Sequence, residues 1–254
     1  VTIQDCSNSG NIDSKSGGGI CGKDSDSLNI TNCENTGAIS GENAGGIVGR
    51  GSENSTIEAC NNKGELSGTS SGGICGFKAL NVTIQECENT GAISGKNAGG
   101  ICGKDSDSLN ITNCENTGAI SGENAGGIVG RGSENSTIEA CNNKGELSGK
   151  YSGGICGFKA LNVTIQECEN TGAISGANAG GICGKDSDSL NISNCENTGE
   201  VSGNYSGGIC GSNAENATIE ACNNTGDLSG ESSGGICSSN ADSVTIQDCS
   251  NSGA

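Results

Sequence analysis

Apolar positions in this chain recur at one fixed interval rather than in helical or amphipathic runs. Isoleucine stands at Ile3, Ile30, Ile57 and every 27th position to Ile246. A second isoleucine series runs Ile20, Ile47, Ile74 and on to Ile236, again in steps of 27. A third apolar position alternates among Ile12, Ile39, Leu66, Ile93, Ile120, Leu147, Ile174, Val201 and Leu228. The polar positions share the same interval. Asparagine recurs without a break at Asn8, Asn35, Asn62, Asn89, Asn116, Asn143, Asn170, Asn197, Asn224 and Asn251, and glycine from Gly10 to Gly253. A Gly-Gly pair such as Gly45-Gly46 precedes each second-series isoleucine, and no insertion or deletion disturbs any series.

A constant step of this kind is the signature of a repeat architecture in which each unit buries its apolar face against its neighbours. In the turn from Gly45 to Ser71, Ser55-Thr56-Ile57-Glu58 alternates and is rich in β-branched residues, which predicts a short strand. Glu65-Leu66-Ser67 predicts a second strand, and Ile74-Cys75 after Gly72-Gly73 a third. Glycine and asparagine at the junctions supply corners with positive φ. Helix is disfavoured, because each glycine costs about 1 kcal/mol against alanine. The expected fold is an all-β solenoid of about nine 27-residue coils, each with three short parallel strands and stacked Asn, Ile and Cys ladders. Equivalent residues would lie ~4.8 Å apart along a stack on the order of 45 Å long. An inward asparagine at a corner can hydrogen-bond its copies above and below.

A longer period is superposed. Lys23–Gly103 is nearly repeated by Lys104–Gly184, a step of 81, and the opening VTIQDCSNSG returns at Val244, a step of 243. Residues 1–254 therefore form one continuous array, expected to be a segment of a longer one. Both ends carry ordinary repeat sequence rather than polar caps, so copies are expected to stack head to tail, a contact that does not close.

Composition agrees with a thin core. The chain holds 47 Gly, no Pro, Met, Trp or His, and only 2% aromatic residues. The net charge of −18 argues against nucleic acid and anionic membranes as partners. No run approaches the roughly 18 apolar residues of a membrane-spanning helix.

The 17 cysteines fall into two series. One runs Cys6, Cys33, Cys60 and onward to Cys249 in steps of 27. The other comprises Cys21, Cys75, Cys102, Cys156, Cys183, Cys210 and Cys237, with Val48 and Val129 in the two remaining places. No CxxC pair and no histidine is present, so zinc spacing is absent and an oxidising compartment is expected. The alternating gaps are 12 and 15 residues. The 12-residue gap is the preferred disulfide pairing: Cys21 with Cys33, Cys75 with Cys87, Cys102 with Cys114, Cys156 with Cys168, Cys183 with Cys195, Cys210 with Cys222, and Cys237 with Cys249. The 15-residue gap, bridges between stacked copies, and a column of free thiols filling the core are the alternatives.

The stretch Gly45-Gly46-Ile47-Val48-Gly49, followed by Ile57, Cys60, Asn62, Gly64, Leu66 and Gly68, resembles the GLUG repeat. That family shows a Gly-Gly-Leu/Ile-Val-Gly core, then a short strand and an Asn-x-Gly corner. GLUG-like repeats occur in large secreted and surface-attached bacterial proteins, so the resemblance implies an extracellular or cell-surface location and an adhesive or structural role. The cysteines and the strict step of 27 depart from the family pattern.

Candidate chemistry on the scaffold is sparse. Without histidine there is no Ser-His or Cys-His pair, and no coil carries a longer loop than another, so no enzyme activity is expected. Asn-x-Ser/Thr sequons make Asn29, Asn54, Asn81, Asn110, Asn135, Asn162, Asn191, Asn204, Asn216 and Asn223 candidate glycosylation sites. Asp24-Ser-Asp26, Asp105-Ser-Asp107 and Asp186-Ser-Asp188 are at most weak calcium ligands, and no other cofactor is expected. Thr2, Thr56, Thr83, Thr137, Thr164, Thr218 and Thr245 share one column, but Asn29, Asn110 and Asn191 interrupt it, which argues against an ice-binding plane. Phe77, Phe158, Tyr151 and Tyr205 look scattered, with no repeating aromatic platform. The expected function is an extracellular structural fibre or stalk whose partner is a further copy of itself. A surface adhesin or a module binding surface glycans is the alternative.

Overall fold

The computed structural model describes residues 1–254 as a parallel β-solenoid without helices. Each strand pairs with the equivalent strand of the coil before and the coil after. The first sheet has ten strands, from Thr2–Gln4 through Thr56–Glu58 to Thr245–Gln247. The second, also of ten, runs from Ser7–Asn8 through Asn61–Asn62 to Ser250–Asn251. The third, of nine, runs from Ile12–Asp13 through Leu66–Ser67 to Leu228–Ser229. Register follows the sequence step directly: Ile57 pairs with Ile84, Asn62 with Asn89, and Leu66 with Ile93.

Two of the three expected strands per coil are present, at Thr56–Glu58 and Leu66–Ser67. The third is corrected. It lies at Asn61–Asn62, whereas Ile74-Cys75 forms no strand. Ile74 and Cys75 both donate their N–H to the carbonyl of Ile101, each at 2.9 Å. Two successive donors on one acceptor break the alternation a strand needs, leaving isolated parallel bridges at Gly72 and Cys75. In the true third strand, Asn61 accompanies a wholly buried Asn62, a polar pattern that apolar periodicity does not detect.

The core forms two columns of side chains. The larger holds 39 buried residues, including the Ile57 and Ile74 series and most cysteines. The smaller holds 11, with Ile39, Leu66 and Ile93 packed on small residues such as Ala44 and Ala98. The second glycine of each Gly-Gly pair is fixed by close approach. A Cβ on Gly100 would lie 1.9 Å from the Gly127 carbonyl oxygen and 2.6 Å from Cγ of Asn116. Only a residue without a side chain lets successive coils stack against the asparagine column.

Candidate functional site

The asparagine ladder is complete along the axis. Asn116 Nδ2 donates to Asn143 Oδ1 at 2.8 Å and to the Gly118 carbonyl at 2.9 Å, while its Oδ1 accepts from Asn89 Nδ2 at 2.7 Å. The same pattern links Asn8 to Asn35 at one end and Asn224 to Asn251 at the other. The asparagines from Asn35 to Asn224 are wholly buried, and every donor hydrogen finds an acceptor. This column is scaffold, and its polarity is satisfied internally.

The two cysteine series have different roles, which spacing alone does not distinguish. In the Cys6 series each thiol donates to the carbonyl two residues back, as Cys87 does to Gln85 at 3.2 Å. The residue between them is held at positive φ, 54° for Glu86 and 51° for Ala59, so the thiol braces a strained corner. The Cys21 series makes no bond to the backbone. Its members stack on their own copies, held next to them by the parallel bridges Cys75–Cys102, Cys156–Cys183 and Cys183–Cys210. Val48 and Val129, both wholly buried, occupy the same column, which therefore accepts a side chain that cannot donate a hydrogen bond. All 17 cysteines are free thiols. No disulfide joins Cys21, Cys33, Cys75, Cys87, Cys102, Cys114, Cys156, Cys168, Cys183, Cys195, Cys210, Cys222, Cys237 and Cys249 in this structure, and the 12-residue pairing stands as a proposal. The thiol contacts run along the axis, between copies 27 residues apart.

Nine of the ten sequon asparagines are exposed and Asn223 is half-buried. Eight of them divide into two kinds, while Asn204 lies in a turn and Asn223 begins a strand of the second sheet. Asn29, Asn110 and Asn191 begin strands of the first sheet. Asn54, Asn81, Asn135, Asn162 and Asn216 sit at a corner with φ between 47° and 53°. At that corner Asn81 donates to Asn54 at 2.7 Å, and Asn135 to Asp107 at 3.0 Å. The Asp-Ser-Asp carboxylates have partners within the chain: Asp24, Asp105 and Asp186 pair with the lysine just before each, and Asp26, Asp107 and Asp188 accept from neighbouring hydroxyl or amide groups. No three His, Cys, Asp or Glu residues gather as a metal site.

Two surface features escape the apolar pattern. The first is an open trough of about 730 Å³ along the outer face of the third sheet. It is lined coil after coil by an Ala or Glu, such as Ala92 and Glu146, and by a serine, such as Ser94 and Ser148. An unbroken serine series from Ser40 to Ser229 at a step of 27 is its signal in the sequence. The second feature overturns the view that the aromatics are scattered. Phe77 lies under Arg50, Lys78 and Lys104 at 5.3–5.6 Å. Phe158 is matched in the same way by Arg131 and Lys159, and it stacks on Tyr151 at 5.0 Å. Lys23, Arg50, Phe77, Lys104, Arg131, Phe158 and Lys185 form one column at a step of 27, which gathers cations onto one edge of an acidic rod.

No family model matches the chain, and no curated protein matches it. Solved structures are similar to it. The A-module of mannuronan C-5 epimerase AlgE6 from Azotobacter vinelandii shares 10% identity over 94% of this chain and 91% of its own, with a TM-score of 0.45. The AlgE4 A-module from the same organism shares 10% identity over 96% of this chain and 90% of its own, with a TM-score of 0.27. ORF18 of Geobacillus virus E2 shares 13% identity over 98% of this chain and 50% of its own, with a TM-score of 0.24. Two of these are modules of enzymes, so the expectation that the chain is not an enzyme is withdrawn. At such identity and TM-scores the likeness assigns it no reaction.

Proposed function

We propose that the chain is a structural rod of an extracellular or cell-surface assembly, lengthened by stacking further coils of the same kind end to end. The observation that supports this is the unbroken register of all three sheets: every coil offers its neighbours the same row of backbone donors and acceptors. A rod built this way gains axial hydrogen bonds with each coil, and the edge at one end accepts the opposite end of another copy. The resemblance to GLUG repeats and the exposed sequons agree with an extracellular setting. Negative-stain electron microscopy of the purified chain tests the reading. Thin unbranched filaments of uniform width are expected, and discrete particles no longer than one chain at all concentrations would refute it.

The serine-lined trough favours a second reading, a module that binds a linear neutral polysaccharide along the rod axis. Its hydroxyls recur once per coil, matching a ligand that is itself periodic, while Glu65, Glu146 and Glu200 along it disfavour an anionic chain. Affinity electrophoresis in gels containing neutral polysaccharides checks it: unchanged mobility in every gel would count against binding.

A further inference from the structure

We propose that the cationic edge is one half of a self-complementary face on which a second copy of this chain docks side by side. Three residues further along each coil runs a second exposed column, held in register by parallel bridges: Asp26, Glu53 and Leu80, then Asp107, Glu134 and Leu161. The first column reads Lys23, Arg50 and Phe77, then Lys104, Arg131 and Phe158. One is cation, cation, aromatic; the other is anion, anion, leucine. Both patterns are repeated once, 81 residues on, and are in phase coil for coil; beyond Lys185 the first column continues with Ser212 and Ser239 and the second with Asp188, Glu215 and Asp242.

Each column is only partly compensated within its own chain, by Asp24 and Asp105 beside the lysines and by hydroxyl and amide donors to Asp26 and Asp107. Like charges such as Asp107 and Glu134, or Lys104 and Arg131, sit in adjacent coils only ~4.8 Å apart along the axis, where they repel. Leu80 and Leu161 are 40% and 41% exposed, and away from the end coils they are, with Tyr205, the large apolar side chains left in solvent. They occur at the one level in three where the facing column has a ring instead of a charge.

A two-fold axis parallel to the rods answers both problems at once. It sets the cation column of one copy against the anion column of the other, and the reverse, at zero axial offset. Lys and Arg then face Asp and Glu at two levels, and Phe faces Leu at the third. Because each copy supplies both columns, the contact is isologous: residue i meets j, and j meets i. Arg50 and Arg131 rest on the rings of Phe77 and Phe158 but have no carboxylate partner within their own chain, so a partner's carboxylate can pair with them. The matched strip is about 30 Å long and narrow. One chain length therefore gives a weak contact that strengthens with every added coil. The pairing is lateral and stands whether or not rods join end to end.

Sedimentation equilibrium of the purified chain, at about 20 mM and about 500 mM sodium chloride, reads the prediction, because surface charge contacts weaken as salt shortens the screening length. Lateral pairing doubles the mass of each rod, so a weight-average mass in low salt twice that in high salt is expected, whatever the end-to-end length of the rods. Arg50→Glu with Arg131→Glu sets acidic side chains against each other at the second level of each block and gives laterally unpaired rods in low salt. Glu53→Arg with Glu134→Arg sets basic side chains against each other at the same levels and likewise gives laterally unpaired rods. Mixed in equal amounts, these two variants should form a heterodimer, a result that general loss of folding cannot produce; unchanged far-ultraviolet circular dichroism verifies the fold of each. A wild-type chain that stays monomeric in low salt overturns the proposal, as do variants that associate like wild type or a mixture that does not pair. So does a monomeric wild type retained by immobilised dextran sulfate, which would assign the cation column to a polyanion instead.

Discussion

Replacing Asn116 with alanine is the most direct test of what holds the coils in register. The side chain is wholly buried and makes three hydrogen bonds: to Asn143 Oδ1, to the Gly118 carbonyl, and from Asn89 Nδ2. Alanine leaves the Gly118 carbonyl and Asn143 Oδ1 as buried acceptors without donors, while Asn89 keeps its bond to Gly91 at 2.9 Å. Each orphaned acceptor costs about 1–3 kcal/mol, so the loss should be about 4 kcal/mol. The same change at exposed Asn251 is the control. There the bond to the carbonyl of half-buried Gly253 is already long at 3.4 Å, and Asn224 still donates to Gly226 at 3.0 Å, so the cost should be under about 1 kcal/mol. Urea unfolding followed by circular dichroism gives both values, and hydrogen exchange locates the damage to the coils around Asn116. If Asn116→Ala and Asn251→Ala shift the midpoint equally, the ladder is not the source of register stability.

Three further outcomes follow from the packing. Gly100→Ala should prevent native stacking or cost more than about 3 kcal/mol in urea, since its Cβ falls 1.9 Å from the Gly127 oxygen, whereas Gly22→Ala, with nothing within 4 Å, should be near neutral. Cys87→Val should cost about 1 kcal/mol by removing the thiol bond to Gln85, and Cys75→Val should cost less than half of that, because valine already fills that column at Val48 and Val129. Contact with the thiol one coil before, then burial, holds Cys141, Cys168 and Cys195 protonated in the fold, with Cys195 pushed up to about 12 from an ordinary 9.0. The unfolded chain therefore loses these protons first: stability is intact below about pH 9 and falls as pH rises towards 12, by about 4 kcal/mol per pH unit for three such thiols. A urea midpoint that is the same at pH 7 and pH 10 would contradict this.

The period, the class of fold and the pairing register were legible in the residues, for a simple reason. In a solenoid the distance between stacked partners along the chain is the repeat length itself, so a step of 27 from Ile57 to Ile84 is already a list of contacts. The asparagine ladder was legible for the same reason. The third strand was not, because Asn61-Asn62 is polar and Ile74-Cys75 only looks like a strand until its two N–H groups are found on one carbonyl. Nor was the division of labour between the cysteine columns. Both are apolar, buried and periodic, and only the direction of each Sγ distinguishes the thiols that brace a corner from those that merely fill space. The charged edge lies between these cases. Its columns are present in the sequence as steps of 27, but that cation and anion columns lie exposed on one edge, with rings and leucines at the same level, depends on how the corner turns its side chains outward. Periodicity along the chain determines what stacks on what; the path of the coil decides which columns become neighbours, and so what the surface can bind.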